Sequence, residues 1–248
     1  MAAYDFAAPR LYLDAPLAAG ARQALDRAQA NYLLNVLRLR PGDSVLVFNG
    51  RDGEWQAEIR GDGRKSADLV CVEQVRPQVP ARDLLYLFAP LKHARLDYMV
   101  QKAVEMGVGA LQPVITRRTQ STRVNLERMR ANVIEAAEQC GILSIPEVRE
   151  SVDLTAALAA LEPDRLLVFC DEGAPVANPM AALEPLGNNI VKIAVIVGPE
   201  GGFTDEERAR VAARDNSVRV SLGPRILRAD TAAVAALAVV QSVLGDWR

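Results

Sequence analysis

VKIAVIVGPEGGFTDEE at residues 191–207, followed closely by VSLGPRILRADTAAVAAL at 220–237, decides the fold of this chain. Two apolar runs, 193–197 and 217–222, have the length and β-branched content of buried parallel strands. Each ends in a glycine-containing turn: Gly198-Pro199-Glu200-Gly201-Gly202 after the first, Gly223-Pro224-Arg225 after the second. Glycine after a buried strand lets the backbone take positive φ and come close to a ligand. Ligands of open α/β sheets bind at the carboxyl ends of the strands, so these turns read as two walls of one pocket. Thr204 with Glu207 three residues on is a capping box, which starts a helix directly at the first turn. A tight strand-to-helix turn with no ligand would carry the same glycines. Glu200 and the lack of a P-loop Lys-Ser/Thr speak against a phosphate cradle, so a neutral or cationic ligand suits the turn better.

Downstream, 230–244 reads as a helix that is apolar and small almost all round, which buries it in a core or at a subunit interface. Arg225 and Arg228 stand at its start, where anions are preferred. They are either surface arginines with snorkelling stems or groups facing a phosphate or a developing negative charge. Upstream, 84–89, 111–115 and 166–170 read as further strands, alternating with helices at 96–106, 125–139 (Asn125 as N-cap) and 153–161. Such alternation builds a parallel sheet covered on both faces. Residues 1–76 are different: a helical pattern over 22–39 precedes short strands at 44–48, 54–59 and 67–75 with glycine turns between them. That pattern suggests a small β-barrel domain at 1–76, a linker at 77–80, and an α/β domain over the remainder of 77–248.

Composition bounds the function classes. The 248 residues are half apolar and carry a formal net charge of −2, so any nucleic-acid contact must use local patches. One such patch is Arg117, Arg118, Arg123, Arg128 and Arg130, which could equally be a solvated loop. Cys71, Cys140 and Cys170 are odd in number and widely spaced, which reads as buried free thiols in a reducing cytoplasm. No signal peptide or membrane span is indicated. The sole histidine, His93, reads as a surface residue, so neither a Ser-His-Asp relay nor an ordinary zinc site is expected, and no metal is called for.

LRLRPGD (37–43), LDYMVQKAVEMGVGALQPVITRRTQ (96–120), EAAEQCG (135–141), GPEGGFTDEE (198–207) and LGPRILRADTA (222–232) occur here in that order. Together they resemble the SPOUT class of RNA methyltransferases, and within it the 16S rRNA uridine-N3 methyltransferase family, over nearly the whole chain. The resemblance implies an N-terminal PUA-like RNA-binding barrel and a C-terminal α/β domain with a deep trefoil knot. It also implies a homodimer and a 16S rRNA substrate, expected within the assembled small subunit, in keeping with the cytoplasmic location that the cysteines and the lack of a signal peptide suggest.

The implied cofactor is S-adenosylmethionine (SAM), held by three loops. These carry Cys170, Asp171 and Glu172; Val197, Gly198, Pro199, Glu200, Gly201 and Gly202; and Leu222, Gly223, Ile226 and Leu227. Loss of the uridine N3 proton places negative charge on O2 and O4, which Arg228 or Arg225 is expected to stabilise, with Glu200 or water as proton acceptor. Arg10, Arg38 and Arg40 in the barrel, with Lys92, Arg117, Arg118 and Arg123 beside the sheet, are the expected RNA contacts. Two other readings share the sequence: a SPOUT methyltransferase acting on another RNA, and a non-catalytic RNA-binding assembly factor.

Overall fold

A computed structural model of the protein describes residues 8–61, 67–176, 178–187 and 189–247, apart from the His93 side chain. The chain forms two compact units, one of residues 1–80 with 137–145, the other of 81–136 with 146–248.

The first unit is built on a five-stranded sheet. Its elements are β1 (Arg10–Tyr12), β2 (Arg22–Ala24), α1 (Arg27–Asn31), β3 (Ser44–Phe48), β4 (Glu54–Arg60) and β5 (Asp68–Arg76), and the strand order is β1-β3-β4-β5-β2. Alternation puts Val45, Val47, Ala57, Ile59, Leu69 and Cys71 into one core, which Leu33 completes. The helix expected over 22–39 forms only in its middle, over 27–36. Residues Arg22–Ala24 pair antiparallel with β5 instead. A capping box of Asp26 and Gln29 then starts α1, which loosens into a π-helical turn at Tyr32–Val36. The turn closes with Leu37 N donating to Tyr32 O at 2.9 Å. Arg38 ends it at φ +59°, a left-handed conformation uncommon outside glycine. The apolar spacing of Leu33, Leu34 and Leu37 is helical, but it serves one buried anchor, Leu33, rather than five turns of helix.

In the second unit lie β6 (Leu84–Phe88), α2 (His93–Glu105), β7 (Ala110–Ile115), α3 (Leu126–Cys140, whose last residues belong to the first unit) and the two-residue strands β8 (Glu147–Val148) and β9 (Val152–Asp153). They are followed by α4 (Leu154–Ala159), β10 (Leu166–Cys170), α5 (Pro179–Leu183), β11 (Ile193–Val197), α6 (Asp205–Ala212), β12 (Ser217–Val220) and α7 (Ala229–Val243). The strand order is β12-β10-β11-β6-β7-β8, with every pairing parallel and β9 added alongside β7. The runs LLYLF of β6 and IAVIV of β11 are buried at every position, as a parallel sheet covered on both faces requires. β11 returns between β10 and β6, and such a reversal opens a crevice at the carboxyl edge.

Helix ends follow the sequence closely. Asn125 accepts from Arg128 N at 3.0 Å, Asp153 caps α4, and Gly107 turns the chain after α2 at φ +78°. The last helix packs against α2 and β11. It is not buried all round, since Val234, Ala235, Ala238 and Val239 remain half-buried. Nor are all the thiols buried: Cys71 is, Cys140 is exposed, and Cys170 lies between. Among the described residues, no helix is long and apolar enough to cross a membrane.

Arg165, 5 % exposed, gathers the starts of three strands. It donates to Glu162 at 2.8 and 3.1 Å and to the carbonyls of Ile193 at 3.1 Å and Asp83 at 3.3 Å. Its fork holds the Glu162 carboxyl down from an ordinary 4.5 to about 2. A carboxyl depressed in the folded state contributes stability above its unfolded value and loses it as pH falls through the folded one. The stability advantage of the wild type over E162Q is therefore expected to be full at pH 7 and to shrink between pH 4.5 and 2. Urea denaturation of both proteins across that range measures it.

Candidate functional site

The loops after β10, β11 and β12 meet in one cleft of about 230 Å³. The first contributes Cys170, Asp171 and Glu172, and the second Val197, Gly198, Pro199, Glu200, Gly201, Gly202 and Phe203. From the third come Leu222, Gly223, Arg225, Ile226 and Leu227, and the start of α7 adds Ala229 and Ala232. Every residue expected around a cofactor thus lies in this one lining, beside Arg225. Phe203, Ala229 and Ala232 were not anticipated. Arg228 is not in the lining. It serves as the backbone N-cap of α7 with an exposed side chain that makes no capping bond.

Glycine is needed in the walls for two separate reasons. Gly202 at φ +68° and Gly223 at φ +99° hold conformations that L side chains rarely adopt. At Gly198 the constraint is space, because a Cβ there would stand 2.5 Å from Cε2 of Phe203. That ring is 5 % exposed and packs edge-on against Phe169 at 5.2 Å, so it has nowhere to retreat. Overpacking of this kind costs about 1–3 kcal/mol. G198A is expected to melt several degrees below the wild type by calorimetry and to deform the cleft wall.

The cleft looks acidic in the sequence, yet its carboxylates are answered by arginines brought from elsewhere. Asp171, 3 % exposed, accepts from Arg219 at 2.9 and 2.7 Å and from Arg208, which also reaches Glu172. Glu200 is met by Arg95 at 3.0 Å, and the same guanidinium takes Asp230 through two bonds of 3.1 and 3.2 Å. This contact holds the Asp230 carboxyl below its usual range. Arg95, Arg208 and Arg219 carry no local signature of these roles. Glu200 cannot both keep Arg95 and take a proton without loosening that contact. Burial and the neighbouring Asp171 push the Cys170 thiol up to about 12, so it is neutral and unreactive at pH 7.

The expected RNA contacts divide. Arg10 is a correction: it is 6 % exposed, pairs with the fully buried Glu54 at 3.2 Å and donates to Ala8 O at 3.2 Å. Glu54 also takes Arg76 at 2.8 Å, so Arg10 belongs to a buried ionic cluster of the first unit. Arg38 and Arg40 are exposed on the loop entering β3. In the second unit Lys92, Arg117, Arg118 and Arg123 are exposed near the carboxyl ends of the adjacent strands β6 and β7. Arg118 donates to Gly201 O at 2.7 Å, and Arg117 N donates to Glu207 at 2.8 Å. His93 opens α2, and its side chain lies outside the described residues. Among the described residues, no group of three or more His, Cys, Asp or Glu could hold a metal ion.

Residues 78–241 match the RNA methyltransferase domain family, and 25–71 match the RNA methyltransferase PUA domain. Ribosomal RNA small subunit methyltransferase E of Rickettsia conorii is 33 % identical over 94 % of both chains. The protein of the same name from Synechocystis is 32 % identical over 89 % of this chain and 73 % of its own length. Among solved structures, ribosomal RNA small subunit methyltransferase E from Neisseria gonorrhoeae, bound to S-adenosyl methionine, superposes with a TM-score of 0.85. It is 29 % identical and covers 97 % of this chain and 100 % of its own. A Legionella pneumophila methyltransferase in complex with SAM gives 0.81 at 28 % identity, over 96 % and 99 %. With a family match over two thirds of the chain, spanning its parallel-sheet domain, and a PUA domain ahead of it, the chain belongs to the RNA methyltransferase family that includes ribosomal RNA small subunit methyltransferase E.

Proposed function

We propose that the protein transfers a methyl group from SAM to N3 of a uridine in 16S rRNA, acting on the small ribosomal subunit in the cytoplasm. The observation that carries this reading is the convergence of the three strand-following loops in one cleft. The residues fit such a ligand. Val197, Leu222, Ile226 and Leu227 offer apolar surface for a flat heterocycle, and the glycines let main-chain groups approach it closely.

SAM bound there would supply an electrophilic methyl group, and the protein's part is alignment and charge. The uridine must be unpaired or flipped to enter, because N3 is otherwise engaged in pairing. Arg225, in the lining, and Arg228, one helical cap away, hold the charge that appears on O2 and O4 when N3 loses its proton. Among the described residues neither has an ion-pair partner, so both are available. Arg38, Arg40, Lys92, Arg117, Arg118 and Arg123 grip phosphates.

The knotted passage of the last helix, expected from the resemblance, accords with β11 lying between β10 and β6 and with α7 packing on both α2 and β11. Dimerisation accords with the half-buried apolar face of α7 at Val234, Ala235, Ala238 and Val239, and sedimentation equilibrium tests it. Nucleoside mass spectrometry of 16S rRNA from a deletion strain tests the function itself. Loss of 3-methyluridine, restored by the gene, is the expected result; an unchanged nucleoside profile would leave the two other readings, methylation of another RNA and a non-catalytic RNA-binding assembly factor.

A further inference from the structure

We infer that Arg118 is a positioning residue that couples RNA docking to cofactor binding, an inference that rests on the function proposed above. Its guanidinium is exposed but not idle, since one nitrogen donates to Gly201 O at 2.7 Å. The stem lies flat across the same glycine, with Arg118 Cβ and Cδ at 3.3 and 3.4 Å from where a Cβ on Gly201 would stand. The lack of a side chain at Gly201 thus admits Arg118 as much as it admits a ligand. The other donors of the guanidinium have no acceptor among the described residues, and an arginine fork of this kind suits a phosphate oxygen.

The loop that carries Arg118 is stiff. Thr119 Oγ1 accepts from Thr116 N at 2.9 Å and meets Thr116 Oγ1 at 2.9 Å, which closes a tight turn around Arg117 and Arg118. Arg117 N donates to Glu207 at 2.8 Å, and the other oxygen of that 5 %-exposed carboxylate takes Thr204 N at 2.8 Å. Loop 116–119 is therefore fastened at two points between the glycine turn and α6: at Gly201 through a side chain and at Thr204 through a buried carboxylate. A phosphate gripped by Arg118 holds that guanidinium in place, and with it the Gly201 carbonyl in the cleft wall. A cofactor that needs the wall in this position then binds more tightly to the RNA-bound protein. By linkage the RNA must bind more tightly to the cofactor-bound protein, by the same factor.

The test measures co-sedimentation of labelled protein with small ribosomal subunits from a deletion strain, with and without saturating S-adenosylhomocysteine, which binds without turnover. The wild type is expected to bind subunits about fivefold or more tightly when S-adenosylhomocysteine is present. R118A should bind subunits more weakly and lose that enhancement. R118K, with a charge but no fork to serve carbonyl and phosphate together, should keep part of the binding and little of the enhancement. R123A, whose side chain makes no hydrogen bond to the glycine turn among the described residues, should bind subunits more weakly with the enhancement intact. No enhancement in the wild type, or full enhancement in R118A, overturns the coupling while leaving the methyltransferase reading in place. Failure of the wild type to bind S-adenosylhomocysteine in calorimetry overturns both.

Discussion

R228A is expected to lose about 10²- to 10³-fold in kcat, the cost of removing one donor to a developing oxyanion, while its affinity for SAM stays nearly unchanged. The separation of the two effects follows from where the side chain is. Arg228 shapes the start of α7 only through its backbone, at φ −65° and ψ 152°, and its side chain makes no capping bond. It lies outside the cleft lining, so truncation removes nothing that a bound cofactor would touch. Losing an interaction made only in the transition state lowers kcat and kcat/KM together. Arg225 is different because it does line the cleft, and R225A should weaken SAM binding as well as turnover. Single-turnover methylation of unmethylated small subunits, alongside SAM calorimetry, separates the two. Normal turnover in R228A with a defect in R225A would move the role to Arg225. Normal turnover in both would take arginine out of the chemistry.

The elements that position the cleft were legible because their causes are local. Strands Leu166–Cys170 and Ile193–Val197 are continuous apolar runs with no competing period, and the structure places them at those residues. The capping box of Thr204 and Glu207 needs only a three-residue spacing, and it forms. Within 22–39 the helical spacing marks the turns that do form, Arg27–Val36, but not where they begin. What makes a strand of Arg22–Ala24 is the free edge of β5, which lies 46 residues away at Asp68. Distance along the chain also hid the arginine braces. Arg95 meets Asp230 across 135 residues, and Arg118 meets Gly201 across 83. Such pairs have no spacing rule, and the resemblance assigned residues to loops without saying what holds the loops. Glu200 shows the consequence: in the sequence it points to a neutral or cationic ligand, whereas in the fold it is already paired with Arg95.

The same reasoning makes Asp171 the position where one substitution should damage stability most. Its side chain is fully buried, and both oxygens are used. One accepts from Arg208 and from Gly173 N at 3.0 Å; the other takes Arg219 at 2.9 and 2.7 Å. Three elements are joined in this way, because Asp171 follows β10, Arg208 sits on α6 and Arg219 on β12. Removing one partner of a buried ion pair costs about 3–5 kcal/mol, since the other charge is left without compensation. Arg208 and Arg219 keep 24 % and 38 % of their side chains exposed, so each can turn partly to water. The expectation for D171A is accordingly the lower end, about 3 kcal/mol. In a chain of this size that lowers Tm by about 6–12 °C. D171N retains an acceptor for Gly173 N but not the charge, and should fall between D171A and the wild type. Scanning calorimetry of the three proteins measures the order. If D171A melted with the wild type, the arginines would be surface charges that happen to lie near a carboxylate, and the floor of the cleft would be held by the sheet alone.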